Sequence, residues 1–260
     1  MSTQPPLSLT VEQGIATITL NRPQALNAID RDLARRLRET AQAIGAENSV
    51  RAVLLRGAER AFSTGADLRE RLAMTPDELR EHTRLIREAA EAIAALPVPV
   101  LALIRGFCLA GGAELALACD LRFADTTARI AFPEVRRGIF PGAGGMLRLP
   151  RLVGPARAAD LILSGRVIDA EEALHIGLVD RVVPPEELEP AAAEYLEEIA
   201  KNAPLAVRAA KAALRHAFDV DQEEAARLIE QLRAELDETE DYREGLRAFA
   251  EGRPPRFRGR

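Results

Sequence analysis

Three short apolar runs constrain the fold of this chain more than any other feature: IATITL at 15–20, RAVLLRG at 51–57 and VPVLALI at 98–104. Each is rich in Val, Ile and Leu and is followed or closed by Gly, Pro or a polar turn, the pattern of a buried strand. Helical period fills the intervals. Over 26–44, Leu33, Leu37, Ala41 and Ile44 fall on one stripe with Asp30 available as a cap, and 75–96 carries a second such pattern. Gly111-Gly112 opens another predicted helix holding ELALAC at 114–119, with short strands expected at 121–124 and 128–132 and a loop at 58–66. Strands alternating with helices need crossover connections, so the expected class is α/β, a mostly parallel sheet with helices outside.

A chain of 260 residues has room for one large unit or a core with an appendage. After Pro184-Pro185 the segments 188–200, 205–218 and 223–236 are rich in alanine and charge and keep helical period without strand-like alternation. This divides the chain into a core at 1–185 and a helical region at 186–260. The stripe of Leu228, Leu232 and Leu236 needs a partner surface, either the core or another subunit.

Several function classes are disfavoured by composition. The formal net charge of −5 argues against a protein built to wrap nucleic acid. Cys108 and Cys119 read as reduced core thiols. Residues 1–9 carry no basic segment followed by an apolar run, so a cytoplasmic location is expected. The most apolar stretch, 96–104, holds two prolines and is about half the ~20 residues of a membrane crossing, so no membrane span is expected.

Familiar catalytic devices are also missing. His82, His175 and His216 lie far apart in the sequence and outside any metal-binding spacing, so no metal site is expected. Gly142-Ala143-Gly144-Gly145 lacks the Lys-Ser/Thr ending of a phosphate loop, and no serine sits in G-x-S-x-G.

Three other segments offer main-chain donors or a carboxylate directly after a strand. They are AFSTGADL at 61–68, GFCLAGGAELALACD at 106–120, and Phe132-Pro133-Glu134 ahead of PGAGG at 141–145. Singly, each has a plainer reading, as a helix-capping loop, a strand-to-helix turn and a solvated loop glutamate. Together, two sets of backbone N–H donors and two glutamates are the parts needed to polarise a carbonyl and move protons beside it.

AFSTGADL, LAGGAELALACD, FPEVRRGIFPGAGG and the ending DYREGLRAFAEGRPP resemble the enoyl-CoA hydratase/isomerase (crotonase) family, from LNRPQALNA at 20–28 to the C-terminus. GADLRERLAM and EGRPPRFRG resemble its branch of methylglutaconyl-CoA hydratases, which has RNA-binding members. The resemblance implies a spiral of β-β-α repeats and a C-terminal helical part that builds a homotrimer, or a homohexamer of paired trimers. It implies an oxyanion hole from the backbone N–H groups of Ser63 and Gly111, the Ser63 hydroxyl being dispensable, and catalytic carboxylates at Glu114 and Glu134. It places the CoA moiety of an acyl-CoA substrate along Ala25, Leu26, Thr64, Gly65 and Ala66, with no separate cofactor.

The implied activity is hydration of a 2-enoyl-CoA thioester to 3-hydroxyacyl-CoA, with a methylglutaconyl-CoA hydratase or an enoyl-CoA isomerase as alternatives. Gln24 replaces a lysine frequent near the CoA phosphates, Met146-Leu147 replaces a frequent Thr-Gln, and Ala110 replaces the first of three glycines. Arg256 and Arg258 are candidates to compensate for the missing lysine, reaching a neighbouring subunit; a disordered solvated tail is the other reading. From a different class, Arg31, Arg35 and Arg38, with Arg36 flanking, offer one basic helix face to RNA, set against a simple solvated face.

Overall fold

The computed structural model describes residues 5–260, so the part of the leader reading that concerns 1–4 lies outside the described residues. The chain opens with an antiparallel hairpin, β1 (Leu7–Glu12) and β2 (Ile15–Leu20). β1 went unpredicted because it is an edge strand whose Leu9 and Val11 stay exposed, without a buried face to pattern it. Next come α1 (Arg31–Ala46), β3 (Ala52–Gly57), β4 (Ala61–Ser63), α2 (Leu68–Arg71), α3 (Pro76–Ala94), β5 (Val100–Ile104), β6 (Phe107–Leu109) and α4 (Gly111–Leu117). The middle of the chain continues with β7 (Leu121–Asp125), β8 (Arg129–Ala131), α5 (Gly145–Val153), α6 (Pro155–Ser164), β9 (Ile168–Asp169), α7 (Ala170–His175) and β10 (Arg181–Val183). Four helices close it: α8 (Leu188–Lys201), α9 (Pro204–His216), α10 (Gln222–Asp237) and α11 (Glu240–Glu251).

The strands form two sheets. One has six strands in the order β1-β2-β3-β5-β7-β10, parallel apart from the β1-β2 hairpin. The other has four, β4-β6-β8-β9, parallel apart from β8-β9. The chain lays one strand in the first sheet, the next in the second, then a helix, and repeats: β3-β4, β5-β6 and β7-β8 are successive turns of a spiral of β-β-α units. Expecting a single sheet missed the second because its strands are two or three residues long, below the length at which period two can be read.

Alternation along the first sheet's strands explains their continuous apolar character. Val53 and Leu55 of β3 join the main core beneath α1 and α3, whereas Ala52 and Leu54 face Leu188, Ala192 and Leu196 of α8 on the opposite side. α3 starts with a capping box, Thr75 accepting from the Glu78 amide and Glu78 from the Thr75 amide. α1 starts at Arg31, not at 26, with Asp30 accepting from the Leu33 amide. Leu26 and Asn27 have φ of 50° and 54°, left-handed values that a right-handed helix cannot contain.

On α1, Arg31 pairs with Glu70 and Glu78, Arg35 with Glu81, Arg36 with Asp32 and Arg38 with Glu88. Carboxylates therefore neutralise the face read as a possible RNA surface. Both cysteines are buried and free, and burial pushes their thiols well up. No helix among the described residues is long and apolar enough to cross a membrane.

α9 is tied to the core through a buried cation. Lys211 Nζ donates to Val98 O at 2.7 Å and pairs with Asp120 Oδ2 at 2.6 Å, while the same Asp120 oxygen accepts from the Val100 amide. Removing one partner of a buried pair strands the other, so Lys211→Met should lower stability by about 3 kcal/mol, read as a drop in the urea midpoint. A midpoint equal to that of the parent chain would contradict this role for the tie.

Candidate active site

The site is built where two turns of the spiral bring main chain against main chain. At the end of β4, Ser63 is fully buried. At the end of β6, Ala110 holds φ 52° and ψ −128°, and α4 begins at Gly111. A Cβ on Gly112 would lie 2.4 Å from the Ser63 carbonyl oxygen, and one on Gly65 would lie 2.8 Å from the Gly111 nitrogen. Glycine is therefore required at both positions, and the segments touch with no side chain between them. Gly111 supplies a first-turn amide, which has no acceptor inside its own helix.

A third loop braces this crossing. Asn27 is fully buried; its Nδ2 donates to Ala61 O at 2.7 Å and Ala58 O at 3.0 Å, and its Oδ1 accepts from the Arg22 amide at 2.9 Å. Ser63 Oγ donates to Asn27 O at 2.8 Å and accepts from the Gly65 amide at 3.2 Å. The serine hydroxyl, expected to be dispensable, thus links the main chain at Asn27 with the Gly65 amide. Asn27 was missed as a positioning residue, although it stands within the LNRPQALNA segment.

Two buried carboxylates complete the site in unlike ways. Glu114 of α4 is 3% exposed, and its Oε1 accepts from the amides of Ala143 at 2.7 Å and Gly145 at 2.8 Å. Burial raises its pKa, opposed by those two amides. Gly145 must be small, since a Cβ there would lie 3.0 Å from Glu114 Oε1. Glu134 sits in the 3-10 turn Pro133–Arg137 and is 7% exposed; both carboxylate oxygens are buried without any hydrogen-bond partner. Burial pushes its pKa up to about 7; its own amide opposes the shift, and the Glu114 charge adds to it.

A cavity of 470 Å³ collects these parts. Ala25, Leu26, Thr64, Ala66, Gly111, Glu114 and Glu134 line it, as does Gln24, whereas Ser63 and Gly65 lie behind its wall. Arg256 and Arg258 are not among the lining residues. Their main chain is anchored instead, with the Arg258 and Gly259 amides donating to Asp241 and the Arg256 amide to Glu244. Among the described residues, no three His, Cys, Asp or Glu side chains cluster to hold a metal ion.

The chain is similar to known proteins in both sequence and fold. The sequence profile of a family described as enoyl-CoA hydratase/isomerase matches residues 10–260. The chain is 40% identical to the short-chain-enoyl-CoA hydratase of Clostridium acetobutylicum, covering 93% of each protein. It is 37% identical to the mitochondrial methylglutaconyl-CoA hydratase of Mus musculus, covering 95% of this chain and 80% of that protein. Among solved structures, the enoyl-CoA hydratase from Bacillus anthracis superposes with a TM-score of 0.96 at 41% identity, covering 98% of this chain and all of that one.

The raised Glu134 pKa has a consequence for stability. Because its folded value of about 7 lies above its ordinary 4.5, the unfolded chain releases this proton first as pH rises. Stability from this group is complete below pH about 4.5 and is lost as pH climbs to about 7. Glu134→Gln, which has no proton to lose, should therefore gain on the parent chain between pH about 5 and 8. Urea midpoints at the two pH values check this, and an unchanged difference would contradict it.

Proposed function

The chain belongs to the enoyl-CoA hydratase/isomerase family, and from that premise we propose that it adds water across the C2–C3 double bond of a 2-enoyl-CoA thioester, giving 3-hydroxyacyl-CoA. The observation that carries this reading is the unlike setting of two carboxylates on one cavity. Glu114 is held by two amides, and Glu134 is left with no protein partner and a pKa near neutrality.

In this scheme the thioester oxygen lies against the backbone N–H groups of Ser63 and Gly111, which stabilise negative charge as it gathers there. Glu114, one oxygen fixed by the Ala143 and Gly145 amides, uses the other to orient water and take its proton as the hydroxyl bonds to C3. Glu134, protonated near neutral pH, gives its proton to C2, and water-derived protons restore the pair. The two carboxyls act as a coupled pair, so their titrations belong to both.

Ala25, Leu26, Thr64, Gly65 and Ala66 are the proposed contacts of the CoA moiety. CoA enters as part of the substrate, and the scheme uses no separate cofactor or metal. Hydration is favoured over double-bond isomerisation because two carboxylates face the cavity. Exposed apolar side chains on the C-terminal helices, including Leu214, Leu246 and Phe249, support assembly as a homotrimer or hexamer, and the proposed location is the cytoplasm.

Glu114→Gln and Glu134→Gln should each lower kcat on crotonyl-CoA by about 10²-fold or more while leaving thioester affinity nearly unchanged. Near-parental turnover in either variant would refute the assignment. In the parent enzyme, kcat/KM should fall as pH rises through about 7, where Glu134 loses the proton it must donate. A profile flat across that range would remove Glu134 as the acid. Ser63→Ala keeps the N–H donor and loses the hydroxyl's bonds to Asn27 O and from the Gly65 amide, so kcat should drop by about tenfold, read by steady-state kinetics. Unchanged turnover would show the tie to be idle.

A further inference from the structure

We propose that Arg148 is a positioning residue for Glu114: folding back from the first turn of α5, it fixes the 143–145 turn whose amides hold that carboxylate, so that Glu114 stays turned to the cavity it lines. This rests on the reading of Glu114 as the base of the hydration and names the residue that keeps the base in place.

The turn has little stiffness of its own. Ala143 and Gly145 donate to the same Glu114 oxygen, and between them stands Gly144 at φ 107° and ψ 0°. Glycine reaches such angles freely and carries nothing to hold it there. Two carbonyls lie between the two donating amides, and Arg148 engages both. Its Nη1 donates to Ala143 O at 3.1 Å, and its own amide donates to Gly144 O at 2.9 Å. The guanidinium lies directly against the turn, since a Cβ on Gly144 would overlap Nη1. A peptide unit is planar, so holding the Gly144 carbonyl holds the Gly145 N–H, and holding the Ala143 carbonyl sets the angle between the two donors.

Arg148 stands where a cation is otherwise disfavoured. The first turn of α5 carries the positive end of the helix, and the side chain is half-buried, so burial lowers its pKa. Among the described residues no carboxylate forms an ion pair with it. Glu91 of α3 faces it but pairs with Arg87 at 3.6 Å, Arg215 of α9 adds a like charge, and burial keeps the facing Cys119 a neutral thiol. Glu114 is the remaining anion that faces it. There the Arg148 charge joins the two amides in favouring the ionised carboxylate, against burial. The other charged group felt by this pair of carboxylates is Arg137, on the Glu134 side. A cation kept at a helix N-terminus, partly desolvated and without a bonded anion, is accounted for by the turn it holds.

Arg148 is not among the residues that line the cavity, so its substitution acts through Glu114 and not on bound thioester. Arg148→Gln should therefore lower kcat on crotonyl-CoA by about tenfold near pH 8 and by more near pH 6, with KM nearly unchanged. The sign follows from the base: without the cation and the fixed amides Glu114 holds its proton to higher pH, and a protonated base cannot take one from water. Arg148→Lys keeps the charge but not the guanidinium, so it should restore the pH profile and leave kcat about threefold low. A loss in Arg148→Gln that is the same at every pH, or one carried by KM, would overturn the proposal. Parental kcat in Arg148→Lys would overturn it as well, and this variant serves if the glutamine one does not fold.

Infrared titration of the Glu114 carboxyl, its band assigned by loss in Glu114→Gln, gives a readout that needs no turnover. The midpoint should move to higher pH in Arg148→Gln. An unmoved midpoint in a chain that hydrates crotonyl-CoA would sink the positioning role and leave the hydratase reading standing. A moved midpoint in a chain that hydrates no enoyl-CoA would support the hold of Arg148 on Glu114 and sink the hydratase reading.

Discussion

Everything in the site depends on a contact that contains no side chain, the crossing of main chain at 63–65 over main chain at 110–112. Gly112 admits the Ser63 carbonyl and Gly65 admits the Gly111 amide, so the main chain of two turns of the spiral meets here with no side chain between. The short second sheet serves this end. β4 and β6 pair in parallel with a register shift between Ala61 and Ser63, which carries their ends to the crossing. Ala110 follows with a positive φ that alanine adopts only under strain, and strain of this kind persists where the surroundings dictate the geometry.

The carboxylates gain their difference from the same economy of main chain. Two amides of the 143–145 turn satisfy one oxygen of Glu114 and favour its ionised form, whereas neither oxygen of Glu134 has a hydrogen-bond partner. One residue type thus meets two unlike hydrogen-bonding settings, and in the proposed reaction that divides base from acid. The ordinary objection to a buried, unsatisfied carboxyl, its cost to stability, applies in full here. A group kept at that cost on the wall of a cavity is best explained by what the cavity binds.

Much of the fold was legible where the chain is long and periodic. β2, β3, β5, α3 and α8 lie within two residues of their expected bounds, because each buries a face that patterns its sequence. Legibility failed where short-range structure is imposed by distant contacts. Leu26 and Asn27 look like helix but are held left-handed, with Asn27 bound to Ala58 and Ala61 more than thirty positions away. β4, β6 and β9 have no pattern of their own and exist only as partners in a sheet. The site motifs were visible through the family resemblance. Its supports, the Ser63 hydroxyl and the Asn27 side chain, are pairings across the fold that no local spacing announces.

The central claim is that the paired amides polarise a thioester carbonyl. Infrared spectroscopy of a bound, unreactive conjugated acyl-CoA with a ¹³C label at that carbonyl tests it most directly. Donors aimed at the oxygen should shift the carbonyl stretch to lower frequency than in water, since they draw charge onto it in a site that excludes solvent. A stretch at or above the aqueous frequency would mean that the amides of Ser63 and Gly111 do not grip the oxygen, and the account built on their crossing would fail.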